Sequence, residues 1–165
     1  ETAYTDVPET YWAYEAIRAV TKAGLFNGTS ANTFTPEMDA TRGQLMTVLA
    51  RLSGEKAATI AEGIAWAVES GVSDGTDPEA NITREQLVTM LYRYTQRKGM
   101  DVIAGENTNI LSYEDVASVS EWAIPAMQWA VGTGIIKGMT ETALVPSGNA
   151  TRAQIAAIMQ RCVEL

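Results

Sequence analysis

The 165-residue chain has no histidine and a single cysteine. Without an imidazole, Ser-His-Asp and Cys-His catalysis are excluded, and most catalytic zinc sites lose their usual ligand. The lone thiol, Cys162, can close no intrachain disulfide, so cysteine gives no information on compartment. No cationic pattern surrounds it to activate it, and it reads as a small buried hydrophobe. No apolar run approaches the length of a membrane span, so membrane insertion is not expected. No leader peptide is visible at Glu1, as would also be true of a chain already trimmed. Basic residues are few: 12 Lys and Arg against 20 Asp and Glu give a net charge of -8, which disfavours nucleic acid and anionic membranes as partners. A glycosidase needs two carboxylates facing across a cleft. The acids here fall mostly in loops or on outward helix positions, with no paired signature. The expectation is a non-catalytic protein with no metal and no cofactor. Asp74-Gly75-Thr76-Asp77 matches a fragment of a calcium loop but lacks the full ligand pattern.

Apolar residues make up 46% of the chain, enough for a real core. The most informative pattern is Thr-Arg-x-Gln, which occurs at residues 41–44, 83–86 and 151–154. Large apolar residues follow each arginine at +3, +6, +7 and +10, the spacing of one face of an α-helix. They are Leu45, Val48, Leu49 and Leu52, then Leu87, Met90, Leu91 and Tyr94, then Ile155, Ile158, Met159 and Cys162.

The repetition extends well beyond the tetrapeptide. At an offset of 110, Trp12 aligns with Trp122, Gly24 with Gly134, Gly28 with Gly138 and Pro36 with Pro146, with no gap up to Leu52. The middle copy is degenerate: Gly71 and Gly75 match at an offset of 47, Pro78 and Arg84 at 42, so its loop is five residues shorter. Its tryptophan position is Thr59, and no Asp-Val precedes it as Asp6-Val7 and Asp115-Val116 precede the others. Each unit therefore reads helix, glycine loop, helix. The predicted units are 4–54, 55–98 and 110–165, with 99–109 as linker, all within one domain spanning 1–165. First helices are expected over 11–23, 57–70 and 120–133, ended by Gly24, Gly71 and Gly134 in the left-handed C-cap conformation. Trp66 and Trp129, at mid-helix, are expected in the core between units.

Thr at the N-cap with Gln at N3 forms a capping box. That accounts for the threonines and for Gln44, Gln86 and Gln154. It leaves the arginines unexplained, because N1 is the positive end of the helix dipole and an exposed position. Arg42, Arg84 and Arg152 either pair with carboxylates of neighbouring units or are kept for an external anion, to which a helix N-terminus with free N–H groups and a guanidinium is suited. Trp12 and Trp122 could pack as core or staple residues, or stack on a ligand. Asp6 and Asp115 could cap helix starts or accept hydroxyl hydrogen bonds.

The string Asp6-Val7, Trp12-Ala13, Ala16-Ile17, Gly24-Leu25-Phe26-Asn27-Gly28, Phe34-Thr35-Pro36 and Thr41-Arg42-Gly43-Gln44 resembles an S-layer homology motif. So does the stretch from Tyr113 to Gln154, and the middle unit resembles one from about Ile64 to Tyr94. The resemblance implies an all-α, pseudo-threefold, three-pronged domain on a secreted protein of Gram-positive or related bacteria, located outside the cell at the wall. It implies non-covalent anchoring through secondary cell-wall polysaccharide, often carrying pyruvate ketals, bound in grooves between units. By position, the anion-contacting role falls to Arg42, Arg84 and Arg152, the opening acid to Asp6 and Asp115, the aromatic to Trp12 and Trp122, and the loop glycines to Gly28, Gly75 and Gly138. The family's Glu is Gln44, Gln86 and Gln154 here, which removes three negative charges beside the arginines. The alternative is a protein–protein module that assembles with other surface-layer proteins and touches no glycan.

Overall fold

Each Thr-Arg-x-Gln opens an α-helix at its arginine, in a computed structural model that describes residues 4–136 and 142–164. Among the described residues the fold is all-α, with six helices: α1 (Tyr14–Lys22), α2 (Arg42–Leu52), α3 (Ile60–Ser70), α4 (Arg84–Arg97), α5 (Ile124–Thr133) and α6 (Arg152–Glu164). The apolar stripe of α2, α4 and α6 is the core as its spacing predicts: Leu45, Leu49, Leu87, Leu91, Ile155 and Met159 are at most 1% exposed. Leu52 and Cys162 are half-buried at the stripe's end, and burial pushes the Cys162 thiol up to about 11 despite nearby Arg161, as befits an inert side chain.

The four N-terminal N–H groups of a helix need partners from outside it. Here the side chains of its own capping box satisfy two. The Thr hydroxyls accept from the N–H of Gln44, Gln86 and Gln154, whose amide oxygens accept from the N–H of Thr41, Thr83 and Thr151. The other two go to the next helix pair. Arg42 and Gly43 N–H donate to Ala80 and Pro78 carbonyls, Arg84 and Glu85 to Gly148 and Pro146, and Arg152 and Ala153 to Met38 and Pro36, all at 2.8–2.9 Å. Just upstream, Ala40 N–H donates to Ala150, Ala150 to Ile82 and Ile82 to Ala40, a closed ring of three hydrogen bonds about the pseudo-threefold axis.

The helices interleave accordingly. α2 packs on α3, α4 on α5 and α6 on α1, so each second helix lies chiefly on the first helix of the following pair and the last closes on the first. Gly63 makes the α2–α3 approach possible, since a Cβ there would lie 2.6 Å from Thr47 Cα.

The first helices begin about three residues later than expected. Tyr11–Ala13 and Glu121–Ala123 form turns, the latter a 3-10 turn before Pro125 in the first turn of α5. Gly24, Gly71 and Gly134 adopt the expected positive φ of 72°, 77° and 76°. Residues 99–109 do more than link: a 3-10 turn at Ile103–Gly105 packs on α5, where a Cβ on Gly105 would lie 3.1 Å from the Trp129 Cβ. Trp129 is buried with Tyr92 edge-on to it, and Trp66 is half-buried against Tyr94.

Candidate functional site

The three arginines serve the same threefold plan as the backbone. The Nε atoms of Arg42, Arg84 and Arg152 donate to the carbonyls of Thr76, Leu144 and Phe34, at 2.9, 2.8 and 2.8 Å. These acceptors are equivalent loop positions of the next helix pair, each followed by a residue at positive φ: Asp77 (48°), Val145 (52°) and Thr35 (54°). The guanidinium therefore clasps a loop that the local backbone disfavours.

Beyond Nε the three diverge. Arg152 is 3% exposed, stacks between the rings of Phe26 and Phe34 at 4.2 and 4.6 Å, and donates a second bond to Asn27 O. Burial lowers its pKa to about 10, against the favourable charge of Asp6. Arg84 is 5% exposed, and burial likewise lowers its pKa against the pull of Asp115. The expectation that an N1 side chain is exposed is thus corrected for both, because the neighbouring pair folds over the helix start. The N–H groups of these helix starts are already paired, so an anion could engage only the side chains. Arg42 is less deeply buried, with 12% of its side chain exposed: it lines a groove, and its terminal nitrogen lies 3.6 Å from the mostly exposed carboxylate of Asp74.

That groove, about 170 Å³, joins all three helix pairs. Arg42 comes from the first, Ser73, Asp74, Gln86, Thr89, Met90 and Arg93 from the second, and Trp122 from the third. Trp122 is 54% exposed and Trp12 62%, so neither is a core residue, and packing as an explanation for them is corrected. Two rings this large stay exposed at matching places because the turns at 11–13 and 121–123 hold them outside the helix faces.

The equivalent groove beside Arg152, about 220 Å³, is lined by Phe26, Asn27, Gly28, Gln44, Arg51 and Ile60, among others. It has no tryptophan, and its Arg152 is consumed by internal bonds. Gly28 accommodates the close folding of its loop, since a Cβ would lie 2.5 Å from Thr33 O, and Gly75 takes a positive φ of 78°. Gly138, which belongs to the third such place, lies outside the described residues.

Asp6 and Asp115 cap no helix. Asp6 accepts from Phe34 and Thr35 N–H, and Asp115 from Leu144 and Val145 N–H, at 2.7–2.9 Å. Each carboxylate holds two consecutive donors of the positive-φ loop. Burial opposes ionisation of Asp115, but these donors and Arg84 outweigh it and hold its pKa below the usual carboxylate range. The middle pair has no such acid, and Asp74 substitutes from within the loop by accepting from Thr76 N–H and hydroxyl. Those bonds, with the Arg42 charge, also hold the Asp74 carboxyl low. Asp74 and Arg93 are groove residues that lie outside the Thr-Arg-x-Gln pattern. The signal for Arg93 is an arginine nine positions after each Thr-Arg arginine.

A model of the S-layer homology domain matches residues 3–46 and 112–156, together more than half the chain. The chain is 25% identical over 168 residues to an amylopullulanase of Thermoanaerobacterium thermosulfurigenes, covering 93% of this chain and 9% of that protein. It is 29% identical over 170 residues to an endoglucanase of Bacillus sp. (strain KSM-635), covering 94% of this chain and 18% of that protein. It thus spans under a fifth of either relative's length.

Proposed function

Since this chain belongs to the S-layer homology domain family, we propose that it anchors its parent protein to the bacterial wall by binding an acidic wall polysaccharide in the Arg42–Trp122 groove. Domains of this family are cell-surface anchoring modules that bind cell-wall polysaccharide, which implies a cell-surface location. No helix among the described residues is long and apolar enough to cross a membrane. The middle helix pair, which the family model does not match, is proposed as a third, divergent repeat over 55–98, on the strength of its place in the ring of Ala40, Ile82 and Ala150.

The observation that carries the reading is one groove that combines a guanidinium with an exposed indole. A ring face offers an apolar platform to sugar C–H groups, and an Arg fork suits a carboxylate or pyruvate ketal. Asp74 and Gln86 border the same space and can take sugar hydroxyls. The parent protein is proposed to be an extracellular enzyme or adhesin carried by this module, as the two enzyme relatives suggest.

Co-sedimentation with purified walls tests the reading. The chain is expected to pellet with intact walls and to stay in solution with walls stripped of their acidic polysaccharide. Arg42→Ala should weaken retention by about 1–3 kcal/mol, the cost of losing a charged hydrogen-bond partner. Arg42 is the most informative of the three because Arg84 and Arg152 are more deeply buried; since Arg42 also holds the Thr76 carbonyl, an unchanged Tm in the variant is the control that separates lost binding from unfolding. Equal retention by stripped walls would refute glycan anchoring and favour docking to a protein of the surface layer.

A further inference from the structure

Arginine recurs at a second equivalent position in the three pairs: Arg51, Arg93 and Arg161, each nine residues after the helix-opening arginine. In two of them it is structural. Arg51 donates from Nη1 to Leu25 O and from Nε to Ala57 O, at 3.4 and 2.7 Å. Arg161 donates from Nη1 to Ile135 O at 3.0 Å. Leu25 and Ile135 are equivalent residues, each just after the glycine that ends the first helix. The matching residue in the middle pair is Val72, and Arg93 makes no such bond. Among the described residues Arg93 has no hydrogen-bond or ion-pair partner, is exposed, and lines the Arg42 groove.

We propose that Arg93 is a second anion-binding residue, which together with Arg42 holds one singly charged acidic group of a saccharide whose ring lies on Trp122. The inference rests on the groove reading above and adds the residue and the charge. Two guanidinium groups offset by the Asp74 carboxylate leave one net positive charge in the groove. A single anion matches that field, whereas a more highly charged one meets Asp74. The groove beside Arg152 offers no counterpart: Arg51 and Arg152 are both spent on internal carbonyls, and Ile60 lies among its lining where an indole would be needed. The described grooves therefore provide one anion site. A sugar carboxylate and a phosphodiester share the required chemistry.

The test titrates the chain with solubilised acidic wall polysaccharide by calorimetry, then with methyl glucuronide, a glycerol phosphodiester and neutral methyl glucoside by NMR. Arg93→Gln should weaken polysaccharide binding about tenfold, the equivalent of one charged hydrogen bond, with no change in Tm. Arg93→Lys should recover part of it. Arg51→Gln should lower Tm and leave the affinity of the folded chain unchanged. Saturable binding of the glucuronide or the phosphodiester that is weakened in Arg93→Gln supports the proposal, and whichever binds names the acid. Methyl glucoside binding as well as the charged probes would overturn it. Wild-type affinity in Arg93→Gln, with Arg42→Gln weakened, overturns the role of Arg93 and leaves the groove reading standing. Unchanged affinity in both variants overturns both.

Discussion

Two carboxylates, Asp6 and Asp115, each hold a pair of consecutive N–H groups in a loop that would otherwise carry strain. Val145, a β-branched residue at a φ of 52°, shows the load most clearly. Because the folded pKa of Asp115 lies below its unfolded value near 3.8, its contribution is complete above that pH and is lost as pH falls through the folded pKa. Urea midpoints measured from pH 5 downward should fall more steeply for the native chain than for Asp115→Asn. At neutral pH the variant should be less stable by about 1–2 kcal/mol. Parallel acid profiles would contradict the bracing role. At this scale the sequence was legible in part. The spacing of Asp6 and Asp115 before tryptophan marked them as special, but their partners lie 28–30 residues on, in loops whose backbone conformation no local pattern encodes. The arginines were conspicuous for a sound reason, their conflict with the helix dipole. The resolution through backbone carbonyls of another helix pair depends on tertiary structure alone.

The second helices were the most legible elements. Capping box and apolar stripe agree on where α2, α4 and α6 begin and which face is buried. The first helices were less so, because Tyr11–Ala13 and Glu121–Ala123 have apolar residues at near-helical spacing yet form turns. How the elements pair was not legible. A helix-loop-helix unit suggests packing within the unit, whereas α2 lies on α3 and α4 on α5. Gly63 is the sequence mark of that contact. Gly63→Ala would place a methyl against the Thr47 backbone and should destabilise by about 1–3 kcal/mol, the usual range for overpacking, although alanine is the better helix former. A stabilised variant in thermal unfolding would show that the α2–α3 approach is looser than described.

For the molecule as a whole, the ring of Ala40, Ile82 and Ala150 and the closing of α6 on α1 make a triad that no single pair could form. On the proposed reading, divergence among the three pairs decides where a ligand binds. Arg84 and Arg152 are buried, whereas Arg42, 12% exposed, borders a groove with the exposed Trp122. The four tryptophans report on this directly, because Trp66 and Trp129 pack within the fold while Trp12 and Trp122 do not. The decisive measurement is an NMR titration of the four indole N–H resonances with a soluble fragment of acidic wall polysaccharide. The account predicts a saturable shift of the Trp122 resonance, lost in Arg42→Ala, with Trp66 and Trp129 unmoved. Saturable binding that leaves Trp122 unshifted would contradict it.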